Sequence, residues 1–131
     1  MQLHRARRDF EAADATLTLI GQLTPRHAAH FRRRQQIDVP ILADEQRASY
    51  KVAGAKIATM SELFGPKVVA RGAATTARTG LLQTRTVGHP AQLGGAMIVL
   101  PDGPVAWSHM SEDASDNAPA EEILAALRAL E

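Results

Sequence analysis

Gln92-Leu93-Gly94-Gly95-Ala96-Met97-Ile98-Val99-Leu100-Pro101-Asp102-Gly103-Pro104-Val105-Ala106-Trp107-Ser108-His109-Met110-Ser111 is the most strongly apolar and best punctuated stretch of the sequence, and it reads as a β-hairpin. Ala96 to Leu100 is a nearly unbroken apolar run, the pattern of a strand buried on both faces, and Asp102-Gly103 supplies the residues of a tight turn. Pro104 opens the returning strand. It removes an amide that a central strand needs for its ladder, which places Val105 to Met110 at a sheet edge with Val105, Trp107 and His109 on one face. A buried strand beside an edge strand requires more sheet on its other side, and the rest of the chain must supply it.

Working outward, Leu3, Ala6, Phe10 and Ala13 recur at helical spacing among charged residues and predict an amphipathic helix. Thr16 to Ile20 alternates β-branched and apolar residues before Gly21, a strand pattern. Thr24-Pro25 reads as an N-cap followed by proline at the first helical position, with Ala28, Phe31 and Gln35 on the inner side of a helix ending near Ile37 and Arg26, Arg32, Arg33 and Arg34 outside. Val39 to Leu42 is a short extended run. Asp44 is placed to cap a helix through Tyr50 to Val52, stopped by Gly54. From Ala55 to Pro90 the chain is rich in Gly, Ala, Thr and Arg, with short helices predicted near Ser61 to Phe64 and from Pro66 to Arg78 before a loop. After the hairpin, Glu112 to Ala118 is a polar loop, and Pro119 starts a helix with Ile123, Leu124, Leu127 and Leu130 in an apolar stripe.

The 131 residues suit one domain, 1–131. Hydrophobic content of 45% is ordinary for a soluble protein, and no apolar run reaches the roughly 20 residues of a membrane span. A formal net charge of +1 gives no global field toward nucleic acid or an anionic membrane. The local basic runs His4 to Arg8 and Arg32 to Arg34 read as solvated helix faces. The N-terminal residues lack the apolar core of a secretory signal, so a cytoplasmic location is expected. Cysteine is absent, which excludes disulfides, thiolate catalysis and cysteine-based metal sites together.

In chain order, Thr18-Leu19-Ile20-Gly21, Phe31, Val39-Pro40-Ile41-Leu42-Ala43-Asp44, Tyr50 with Gly54, Gln92-Leu93-Gly94-Gly95, Pro101-Asp102-Gly103, His109 with Ser111 and the helix from Pro119 carry a family likeness. The chain resembles the peroxiredoxin-like alkyl hydroperoxide reductase and thiol-specific antioxidant (AhpC/TSA) group of the thioredoxin-like superfamily. The resemblance implies an α/β, thioredoxin-like three-layer sandwich with helices on both sides of a mixed sheet, N-terminally truncated relative to the family. Two departures stand out. His89 follows Gly88 where the family often has an acid, and the family's strand and cysteine loop at the head of the first helix have no counterpart before Met1. That loop generates the reactive thiolate, and serine or threonine does not replace a thiol that must oxidise reversibly. No residue receives a catalytic role, and no cofactor is implied.

The missing strand would lie between those at Thr16 to Ile20 and Ala96 to Leu100. Direct parallel pairing of these two, or a reading frame that once began further upstream, is expected over a stable open gap, because unpaired edges recruit other chains. If the gap stays open, a protein partner or a second copy is expected at such an edge, the partner itself being unknown from the sequence, and no nucleic-acid or membrane partner is expected. The five histidines are scattered, and His27 and His30 alone share a helical face without a third metal ligand nearby. Ser108 and His109 lack a Gly-x-Ser-x-Gly elbow and, adjacent on a strand, point to opposite faces, which argues against a hydrolase triad. Gln92, Gly94 and Gly95 form the one candidate ligand-facing loop, set against the simpler reading that the glycines allow close approach of loop and sheet. Two functions follow: a peroxiredoxin-like antioxidant protein inactive for want of cysteine, or a non-catalytic thioredoxin-fold module that binds a protein or small ligand.

Overall fold

The structure, a computed structural model, describes residues 2–59 and 91–131. The helices predicted within Ser61 to Phe64 and Pro66 to Arg78, and His89, lie outside the described residues. The elements in order are α1 (Gln2–Arg5), α2 (Arg7–Ala12), β1 (Leu19–Gly21), α3 (Pro25–Gln35), β2 (Ile41–Ala43), α4 (Ala48–Ala53), β3 (Gly95–Val99), β4 (Val105–Met110) and α5 (Ala120–Arg128). The predicted first helix is divided at Ala6, where the chain tightens through hydrogen bonds from Ala6 N–H to the Leu3 carbonyl and from Asp9 N–H to the Ala6 carbonyl.

Local chemistry explains most boundaries. Thr24 caps α3 by accepting from the His27 amide at 3.1 Å, with Pro25 opening the helix. Both carboxylate oxygens of Asp44 take up amides at the start of α4, from Ala48 at 3.1 Å and Ser49 at 2.9 Å, and Asp44 also accepts from the Ser49 hydroxyl. Gly54 ends α4 at φ 79°, a left-handed position where a side chain would be strained. In the hairpin, the Gly103 amide donates to the Leu100 carbonyl at 2.9 Å and the Leu100 amide to the Pro104 carbonyl at 2.9 Å, closing the connection that Pro101 and Asp102 turn.

Strands β1 and β2 pair in parallel, with Ile20 opposite Leu42, and β3 and β4 pair antiparallel, with Ile98 opposite Trp107. Among the described residues the result is mixed α/β content in two small sheets, compatible with a thioredoxin-like domain. Among the described residues no ladder joins β1 to β3, so the expected direct parallel pairing is not formed. Ala15 and Leu17 turn their side chains into the core while their backbone stays outside any ladder, and pairing is confined to Leu19–Gly21.

The core gathers on one face of β3. Phe10 from α2, Ile98 from β3 and Ile123 and Leu124 from α5 are buried together, with Ala118 and Ala120 beside them and Trp107 and Leu127 packed against the cluster. Two amphipathic helices thus share one strand face. The other face of β3 is not covered by described residues: Ile98 is 8% exposed, but Met97 and Val99 are 41% and 58% exposed, so the strand is buried on one face rather than two. A register shift between Ile98 and Val99 sets Val99 against Val105 and leaves Ala106 unpaired. That bulge takes Val105 off the face that holds Trp107 and His109, correcting the alternation read from the sequence. Leu130 is 47% exposed because α5 ends at Arg128, before the fourth position of its stripe. Gln35, expected inside, is exposed, while Ile37 and Val39 just beyond α3 are buried.

This placement predicts a contrast between two substitutions. Ile98→Ala should lower the unfolding free energy by about 2–5 kcal/mol, whereas Arg33→Ala on exposed α3 should change it by less than about 0.5. Equal shifts of the chemical denaturation midpoint would contradict the location of the core.

Candidate functional site

The glycine-rich loop before β3 is held by the segment that follows α4. Leu93 N–H donates to the Lys56 carbonyl at 3.0 Å, Ala58 N–H to the Ala91 carbonyl at 2.7 Å, and Ile57 and Gln92 form an antiparallel bridge. The Gln92 side chain works in the same joint. Its Oε1 accepts from Arg47 Nη1 at 3.1 Å, and its Nε2 donates to the carbonyls of Leu93 at 2.8 Å and Lys56 at 3.3 Å. Both ends of the amide are therefore bonded to protein. The sequence did not point to Arg47, which sits at the N-terminal edge of α4 with φ 57° and reaches a residue 45 positions away.

The two glycines differ. A Cβ on Gly95 would lie 2.6 Å from the His109 carbonyl oxygen and from the Met110 side chain, so this residue is required by the close approach of β3 and β4. Gly94 accepts from Ser111 N–H at 3.0 Å, and a Cβ there would meet nothing within 4 Å among the described residues.

Beyond β3, the inward side of the hairpin carries a second polar group. His109 Nε2 lies 2.9 Å from Asp116 Oδ1, its Nδ1 lies 3.8 Å from Glu122 Oε1, and its ring stacks on Trp107 at 6.4 Å between centroids. Asp116 also accepts from the Glu112 amide at 2.8 Å. That amide first, and His109 second, hold the Asp116 carboxyl below its ordinary pKa. The group ties β4 to the loop before α5, and its members stay close to one another in sequence without any spacing motif that would have announced them.

A third group joins α1 and α2 to the end of α3. Asp38 faces His4 Nε2 at 2.8 Å and Arg7 Nε at 2.7 Å, and the His4 hydrogen bond leads the causes that lower its pKa. On α4, burial raises the pKa of Tyr50, whose hydroxyl donates to the Ile20 carbonyl at 3.1 Å. His27 and His30 are both exposed on α3, and no cluster of three or more metal-binding side chains occurs among the described residues. No helix among those residues is long and apolar enough to cross a membrane.

A small mixed α/β scaffold with a helix-covered terminal hairpin, and without a single thiol in its 131 residues, is what the site has to work with. The model of the AhpC/TSA antioxidant enzyme family matches residues 2–113, and the chain belongs to that family. Helix α5 lies beyond the matched range. No curated protein and no solved structure matches the chain.

The loop geometry predicts that Gly95→Ala destabilises the protein by about 1–3 kcal/mol, while Gly94→Ala stays within about 0.5. Denaturation midpoints separate the two, and equal effects would contradict the close approach at Gly95. The lowered pKa of Asp116 predicts an acid-side dependence. A carboxylate with a folded pKa below its unfolded value stabilises fully above the unfolded value, near pH 4, and loses that contribution as pH falls through the folded one. The stability difference between the wild type and Asp116→Asn should therefore shrink as pH is lowered below about 4. A difference constant from pH ~6 to ~2 would remove Asp116 from this role.

Proposed function

We propose that this chain is a non-catalytic member of the AhpC/TSA family that performs no thiol peroxidase turnover and acts by binding. One observation carries the reading: the family is one of antioxidant enzymes, and the 131 residues contain no cysteine. Thiol peroxidases and disulfide reductases both begin with attack by a thiolate, on peroxide or on a disulfide sulfur, and the attacking sulfur must then be reduced again. Serine and threonine hydroxyls ionise far above neutral pH and have no reversible oxidation ladder. Methionine oxidises to a sulfoxide but offers no thiolate for the resolving step.

The remaining polar chemistry supports a binding role. Gln92 and Arg47 form a joint next to Gly94, where the backbone has open space among the described residues, and the joint positions groups without supplying a nucleophile. On this reading Gly94 and its neighbours face a small ligand or a protein partner. The protein, freshly folded, should consume hydrogen peroxide with a thioredoxin or glutathione reducing system no faster than a heat-denatured control. Faster loss would overturn the proposal and require chemistry outside thiols.

A further inference from the structure

The two basic runs of the sequence, His4 to Arg8 and Arg32 to Arg34, are distant in the chain, and the fold brings the first against the end of the helix that carries the second. Asp38, just past α3, draws the N-terminal helices in through His4 and Arg7. Beside this joint lies a cleft of about 250 Å³ lined by His4, Arg5, Arg7, Gln35 and Gln36. Among the described residues, no carboxylate lines it. At about 30 Å³ for each water in the liquid, the space is enough for a small polar group.

The charges around the cleft are unequally used. Asp38 engages Nε of Arg7, and Nη1 of Arg7 reaches the His4 carbonyl only at 3.4 Å. The Arg5 side chain has no hydrogen bond or ion pair among the described residues, and Arg5 is an exposed residue that lines the cleft. A helix end of this polarity presents carbonyls, which repel an anion. Here that effect is offset locally: the Gln36 and Ile37 amides cap the carbonyls of Arg33 and Arg32, Arg32 Nε donates to the Ile37 carbonyl, and the last turn carries Arg32, Arg33 and Arg34. Gln35 and Gln36 add side-chain amides that donate to an oxygen-rich ligand.

We infer that this cleft is a binding site for a small oxyanion, the phosphate or carboxylate group of a polar molecule, held by the Arg5 guanidinium and the unused edge of Arg7 with the two glutamine amides beside them. Arg7 is preset by Asp38, so its ordering cost is met before the ligand arrives, and Arg5 supplies the uncompensated charge. The inference is independent of the absence of peroxidase activity.

Isothermal titration calorimetry of the whole chain with sodium phosphate, and separately with sodium acetate, at matched ionic strength tests it and distinguishes the two oxyanions. Wild type is compared with Arg5→Ala and with Lys51→Ala, which removes the same charge from an exposed position on α4. The expected result is binding of at least one anion, weakened about tenfold or more by Arg5→Ala and unchanged by Lys51→Ala, as the loss of one charge-assisted contact predicts. Amide resonances of the Gln35 and Gln36 side chains should shift on the same titration. Absence of binding to either anion, equal affinity in Arg5→Ala and wild type, or an equal loss in Lys51→Ala would overturn it.

Discussion

Burial of the inner face of β3 is the constraint on which the other elements depend. Ile98 is the one large residue that this strand sends into the core, and Phe10, Ile123 and Leu124 reach it from helices at opposite ends of the chain. Burying side chains of this size contributes about 1.5–3 kcal/mol each, a large share of the marginal stability of a domain. Neither α2, with six residues, nor α5, with nine, is long enough to hold its helical form alone in water. Their apolar sides meet on Ile98, and this meeting brings the two ends of the chain together.

Polar joints then set the direction of what the core has gathered. Gln92 connects the end of the α4 segment to the entry of β3, His109 connects β4 to the loop before α5, and Asp38 connects the N-terminal helices to the end of α3. Each joint uses a side chain with two or more hydrogen-bonding atoms, and each spans a connection that apolar contact leaves free to slide. In Gln92 the amide is bonded at both ends, which makes it a fixed strut, and Gly94 beside it has open space among the described residues.

This construction bears on function through what it contains and what it omits. An AhpC/TSA chain without cysteine retains a scaffold of the family while lacking the atom on which thiol redox chemistry turns. On the proposed reading, what remains is recognition by hydrogen-bonding and charged side chains rather than thiol-based electron transfer. Its charged residues follow the same division. Arg7 is bound into a joint, whereas Arg5, two positions earlier, stays available at the cleft.

The sequence by itself determined the features that depend on neighbouring residues. The Thr24-Pro25 start of α3, the Gly54 stop of α4, the carboxylate of Asp44 at the head of α4 and the hairpin around Pro101 to Gly103 are all local, because each is decided within about one turn of chain. The lack of cysteine was equally plain. Tertiary structure decided the rest: which face of β3 is covered, the bulge that turns Val105 away from Trp107, the confinement of β1 to Leu19–Gly21, and the use of Gln92 by Arg47. An apolar run such as Ala96 to Leu100 states that burial is favourable but not what arrives to provide it. The joint at Asp38 was hidden for the same reason, since residues 34 positions apart become partners only after packing has placed them.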